Sequence, residues 1–185
     1  MNRYIELHSR SAFSFLEGAS VPEELIAGCV ELDMPAMALM DRNGVYGSPR
    51  FHLSAKKNGI KAHIGAEINV QRQTPNFAGL RSNLSNSFSL PVLVRNRTGY
   101  QNLCRLITKM KLRVPKHAEP GAHIITANEL QSHAEGLICL TGGSDGPLSL
   151  IDTDATHHAT EWLIQVFGRK NVYCLSTIAD YNSPT

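Results

Sequence analysis

Apolar and polar positions along the chain switch between two periods, and the switching lays out a series of strands and helices. Tyr4-Ile5-Glu6-Leu7 reads as a short strand with His8 at its C-terminal end, followed by a Ser-rich polar loop that closes at Glu17-Gly18. A helix comes next. Ser20 and Glu23 stand at capping-box spacing, Pro22 sits in the first turn where its missing N–H costs nothing, and Leu25, Ile26, Cys29 and Val30 form one apolar face, to about Asp33. The run Ala36 to Met40, bounded by Pro35 and Asp41, has the pattern of a strand buried on both faces. A loop of turn residues over 41–47, a helix from about Pro49 to Asn58 stopped by Gly59, and a third strand from Lys61 to Val70 follow. Strands alternating with helices of this length imply parallel strands and right-handed crossovers.

Residues 71–87 are polar and aperiodic, which reads as a surface loop; the apolar run Leu90 to Val94 resumes the sheet straight after it, so it is no domain boundary. The pattern then predicts a helix over Gly99–Lys111 with Leu103, Leu106, Ile107 and Met110 on one side. Thr126 and Glu129 open a short helix to about Ala134, and Gly136 to Thr141 forms a strand. A helix runs from Asp154 or Ala155 through Phe167 with Gly168 as its C-cap, and Asn171 to Leu175 is the last strand.

Composition narrows the class. The chain has 185 residues, 42% hydrophobic and 18% charged, which suits one globular domain with its own core. A formal net charge of +2 does not suit a protein coated in phosphate-binding charge. No apolar run approaches the ~20 residues of a membrane helix, and Glu6, His8 and Arg10 interrupt any signal-peptide pattern, so no membrane and a cytoplasmic location are expected. Cys29, Cys104, Cys139 and Cys174 lie far apart in apolar surroundings; buried free thiols rather than a zinc site are expected. Arg95 to Lys116 carries seven Lys/Arg and no acid, the pattern of a solvated helix face or of a phosphate contact.

The chemistry gathers in the first loop. A His at a strand end and a carboxylate in the loop behind it either face a common pocket, as side chains at strand C-termini of α/β folds do, or simply cap a strand edge and meet solvent. The stretch from His8 through Phe13-Ser14-Phe15-Leu16-Glu17-Gly18-Ala19-Ser20 to Pro22-Glu23-Glu24-Leu25 resembles the first motif of the PHP (polymerase and histidinol phosphatase) domain, and more narrowly the PHP domain that begins bacterial DNA polymerase III alpha subunits of the error-prone branch. Asp41-Arg42-Asn43-Gly44-Val45-Tyr46-Gly47 resembles the second motif and Ile64-Gly65-Ala66-Glu67 the third. Residues 99–108, 135–143 and 167–173 are similar to the same branch, so the likeness runs from Tyr4 to about Tyr173. Several motifs in one order are far more specific than any one of them.

The resemblance implies an irregular (β/α) barrel, here incomplete, over residues 1–173, with 174–185 a divergent tail as in a truncated or frameshifted gene product, and an isolated chain of marginal stability. It implies, in metal-binding relatives, divalent zinc, manganese or magnesium at the strand C-termini and phosphoester hydrolysis. Carried over position by position, His8, Glu17 and Glu67 keep ligand positions. Arg10 and Arg42 replace histidines, Ser89 falls roughly where a further His stands just before the fourth strand, and Gly143 stands where replicative members have a Cys. Such a set is expected to be a vestigial site without metal, its arginines paired with Glu17 and Glu67, and no catalytic residue or cofactor is assigned to this chain. The implied role is a structural domain packed on the palm and thumb of a longer C-family DNA polymerase, reaching DNA only through it. The alternative is a metal-dependent phosphoesterase, either 3′–5′ exonuclease or phosphatase.

Overall fold

The structure, a computed structural model, describes residues 3–72, 87–117, 122–143, 145–149 and 153–175. Its elements are β1 (Glu6–Ser9), α1 (Pro22–Glu31), β2 (Ala36–Arg42), α2 (Ser48–Lys57), β3 (Lys61–Gln71), β4 (Ser87–Val94), α3 (Arg97–Arg113), α4 (Ala127–Ser132), β5 (Leu137–Leu140), α5 (Thr153–Phe167) and β6 (Val172–Tyr173). The six strands lie side by side in chain order, the order of a barrel wall, with β1 and β6 as the edges among the described residues: an incomplete, irregular (β/α) barrel.

The sheet is not parallel throughout, contrary to the expectation from the alternating pattern. β1, β2 and β3 are parallel, as are β5 and β6, but β4 runs antiparallel to both neighbours. The reason lies in the connection. A parallel return needs a crossover that brings the chain back to the starting end, whereas β4 begins at the end where β3 finishes. The residues 73–86 that join them, read above as a surface loop, lie outside the described residues, as does most of the tail; Gln71 and Ser87 themselves belong to strands.

Alternation sorts the strand residues into two faces. Cross-strand register aligns Met40, Gly65 and Leu93 in one row and Arg42, Glu67 and Pro91 in the next, with Asn69 beside Ser89. The row at one level is apolar, and Ala38, Met40, Leu93 and Leu140 form a buried cluster there. One step along the strands the same face turns charged. On the other face Ile68, Val70, Leu90 and Val92 pack against Leu103, Leu106 and Met110 of α3 and Leu163 and Phe167 of α5. Met37 and Leu39 pack against Ile26 and Cys29 of α1 and Phe51 and Ala55 of α2. Phe88 meets Trp162 edge to face at 6.1 Å between ring centroids.

Local signals were read to within a residue or two for most elements. At the start of α1 the capping residues differ: the N-cap is Val21, not Ser20, and the Glu24 carboxylate, not that of Glu23, accepts from the Val21 N–H at 3.0 Å. Glu23 is drawn off by a two-pronged pair with Arg50, whose guanidinium also lies over the Phe13 ring. The thiols also divide: Cys29 and Cys139 are buried, Cys104 is half-buried and Cys174 is exposed.

Candidate functional site

The charged layer is assembled from four segments at one end of the sheet. The C-terminal end of β1 delivers His8 and, two residues on, Arg10; the following loop brings Glu17; β2 ends in Arg42; β3 supplies Glu67. Because β4 is antiparallel, its N-terminal part reaches the same end and contributes Ser89. The structure thus brings together all five residues singled out in the motifs, and places Ser89 inside β4 rather than before it.

Glu67 is the hub. It is buried, and each carboxylate oxygen has two donors: His8 Nε2 and Arg10 Nη2 (2.5 Å) on Oε2, Ser89 Oγ and Arg42 Nη1 (3.1 Å) on Oε1. Glu17 closes the circuit from outside, with Arg10 Nη1 at 3.1 Å and Arg42 Nε at 3.5 Å. Two guanidinium and two carboxylate groups therefore alternate around a closed ring. Burial pulls the Glu67 carboxyl pKa upward, but the hydrogen bonds from His8, Arg10 and Ser89 and the charge of Arg10 outweigh it and hold it down at about 2. An ionised carboxylate only accepts, so His8 Nε2 and Ser89 Oγ are the donors. Burial alone would lower the Arg10 pKa; its hydrogen bond to Glu67 and the charges of Glu67, Glu17 and Asp145 raise it instead.

A second buried carboxylate, which the sequence did not single out as a site residue, fastens the two arginine-bearing segments together. Asp41 is buried; its Oδ1 accepts from Ser11 N–H (2.9 Å), Ser11 Oγ (2.7 Å) and Ser14 Oγ (3.0 Å), and its Oδ2 from Gly47 N–H (3.0 Å). Ser14 Oγ in turn accepts from the Arg42 N–H at 3.0 Å. Glycine is required at position 47, where a Cβ would lie 2.7 Å from Asp41 Oδ2 and 2.9 Å from Leu39 Cδ2. Asn43 follows in the left-handed region (φ 48°), a conformation Asn tolerates; its N–H donates to the Glu67 carbonyl at 2.8 Å, and its side chain accepts from Asn69 N–H at 3.0 Å. The signal available in the sequence was Asp41 placed straight after a buried run, with two serines in the preceding loop.

Beside the ring opens a cleft of about 450 Å³ lined by His8, Arg10, Glu17, Gly18, Ala19, Ser20 and Leu25. The groups around it do not fit a metal ion. The positions of Glu67 that would face a cation already receive four donors. A guanidinium ~4 Å from a unit positive charge costs ~4 kcal/mol at an effective dielectric of 20, and more for a divalent ion. Arginine cannot deprotonate to become a ligand. Among the described residues no group of three or more His, Cys, Asp or Glu is arranged to hold a metal. His63 lies in the first half of β3, away from Glu67, and His52 is exposed on α2, so neither joins the site.

The family profile of the PHP domain matches residues 6–174. This chain belongs to the PHP domain family. It is 38% identical over 149 residues to an error-prone DNA polymerase of Anaeromyxobacter sp. (strain K), covering 78% of this chain and 12% of that protein. It is 36% identical over 170 residues to an error-prone DNA polymerase of Ralstonia nicotianae, covering 89% of this chain and 15% of that protein. The PHP chain thus spans less than a sixth of the length of these curated relatives. Among solved structures it resembles a protein from Bifidobacterium adolescentis described as a metal-dependent phosphoesterase, with a TM-score of 0.57 at 10% identity, over 86% of this chain and 74% of that one. That likeness is one of fold. Among the described residues no helix is long and apolar enough to cross a membrane.

Proposed function

We propose that this chain serves as the PHP domain of an error-prone-type DNA polymerase, and that its pocket is a metal-free structural core. The observation that carries the second half is the Glu67 carboxylate, engaged by His8, Arg10, Arg42 and Ser89, with two fixed positive charges where a cation would otherwise sit. His8, Glu17 and Glu67 are then former ligand positions, and Arg10 and Arg42 supply the charge that a metal supplies in relatives able to bind one. Residues 1–173 act as one unit. The partner is the palm and thumb of a C-family polymerase, whose DNA-templated nucleotide addition needs magnesium bound outside this chain, and DNA is held chiefly by that partner. Support for this comes from the polymerase relatives; the ring counts against the phosphoesterase alternative, because in-line displacement calls for two clustered hard cations and an activated water.

The test is calorimetric titration with zinc and manganese beside release of p-nitrophenol from a phosphodiester substrate. The expected result is neither micromolar binding nor turnover. Micromolar binding together with turnover abolished by Glu67→Ala would overturn the metal-free reading. Mixing the chain with an error-prone polymerase deleted for its PHP domain tests the partner, and recovery of primer extension is the expected outcome.

A further inference from the structure

Cations distribute unevenly over this molecule. Arg3, Arg10, Arg42, Arg50 and Arg113 each pair with a carboxylate. The other described lysines and arginines have no carboxylate partner among the described residues; Arg72, Arg105, Lys109, Lys111 and Lys116 are spread elsewhere, while the remaining seven lie together at the end of the sheet opposite the arginine ring. Lys56 and Lys57 are the last residues of α2, and Lys61 is the first of β3. Arg95 follows the last residue of β4, which reaches this end because it is antiparallel, and Arg97 opens α3. Arg169 and Lys170 form the turn that leads into β6. Arg95 is tied to its neighbours: its N–H donates to the Gly136 carbonyl at 2.9 Å, and its side-chain Nη1 donates to Asn171 Oδ1, next to Arg169 and Lys170, at 3.1 Å. All seven side chains are exposed. The carboxylates at the same end that form no ion pair among the described residues are Glu31 at the end of α1 and Glu135 before β5.

We infer that this end of the barrel is a docking surface for a nucleic-acid phosphodiester backbone. Seven exposed cations from separate segments, gathered at one end of a near-neutral chain with only Glu31 and Glu135 as unpaired acids beside them, give a local field suited to a polyanion. The cations come from the ends of β3, β4 and β6, with β5 between the last two, rather than from one helix, which gives a band that can follow successive phosphates, and Lys and Arg contacts of this kind position a strand without reading its bases. Tyr100, one turn into α3 and partly exposed, offers a ring on which an unpaired base can stack. The choice of a nucleic acid over an acidic polypeptide rests on the polymerase reading above; the existence of a polyanion surface does not. This surface is separate from the Arg95–Lys116 run as a whole, since Lys109, Lys111, Arg113 and Lys116 lie at the far end of α3.

The experiment is fluorescence anisotropy of the full chain with a labelled single-stranded 20-mer, from 50 to 200 mM salt. If about five phosphates are neutralised, affinity should fall on the order of 10²-fold across that range. The triple variant Arg97→Glu, Arg169→Glu, Lys170→Glu should weaken binding at least about tenfold and lower the log–log salt slope by about 2. A charge-matched control, Lys109→Glu, Lys111→Glu, Lys116→Glu, should stay within about twofold of the parent. Circular dichroism melts identify any variant that has not folded, and single substitutions Lys57→Glu and Lys170→Glu then replace it, each with about a threefold loss expected. Equal loss in both triple variants, or no salt dependence, would overturn the proposal. Competition by polyglutamate as effective as competition by unlabelled oligonucleotide would also overturn it and assign the surface to an acidic protein. Failure to rescue a PHP-deleted polymerase would leave the anisotropy result standing, so the two readings fail separately.

Discussion

At the scale of single residues the molecule turns on two buried carboxylates with opposite tasks. Glu67 neutralises two arginines, and Asp41 organises backbone. Glu67→Ala leaves two guanidinium groups facing each other across an empty position, and a loss of about 3 kcal/mol in urea denaturation is expected. The same group makes acid stability predictable. Its folded pKa of about 2 lies below the ordinary 4.5, so its contribution is complete above pH ~4.5 and is lost as pH falls through ~2. The amount at stake is on the order of 3 kcal/mol, and Glu67→Gln should flatten stability between pH 5 and 2 on the scale of that shift, measured as urea midpoint against pH. Asp41→Ala strands the Ser11, Ser14 and Gly47 donors and should cost about 3 kcal/mol, with Asp41→Asn costing less because its oxygen keeps part of the set.

Among the elements, those with strong local punctuation were legible in the sequence. The α4 cap is an example: Thr126 accepts from Glu129 N–H at 3.3 Å while Glu129 returns to Thr126 N–H at 3.0 Å. The helix ending at Phe167 is another, with Gly168 at φ 80°. What failed was information that local pattern does not carry. A run such as Leu90 to Val94 announces burial but not direction, so the reversal of β4 was invisible, and with it the way Ser89 reaches Glu67. The ring residues were legible because each sits in a motif at a strand end or in the loop behind one. Asp41 was missed because a carboxylate at the mouth of a turn normally faces water. The start of α1 slipped by one residue because Ser20 and Glu23 have the right spacing while Arg50, far downstream on α2, takes Glu23 away. The actual cap, Val21, has no side-chain acceptor. Val21→Ser should therefore raise stability by about 1 kcal/mol, read as a shift in the urea midpoint at constant slope.

Across the whole molecule one end of the sheet holds the closed, balanced ring, and the other gathers seven exposed cations without a carboxylate partner among the described residues. Both depend on the reversed strand, which carries Ser89 to the first and Arg95 to the second.

That reversal also bears on how the chain finds its shape. Every neighbouring pair of strands in this sheet is separated by at least one helix in the described chain except β3 and β4, whose ends at Gln71 and Ser87 are the closest in sequence of any pair. Closing a short segment costs less entropy than closing a long one, and antiparallel pairing can begin before any crossover helix has docked. Folding should therefore start in the middle of the barrel wall and spread outward, with β1 and β6 added last. In stopped-flow kinetics, trimming Ile68 or Leu90 to a smaller side chain should slow folding, while trimming Leu7 or Val172 should mainly speed unfolding. The ring around Glu67 would then be sealed late, when β1 swings His8 and Arg10 onto a carboxylate that β3 and β4 have already set in place.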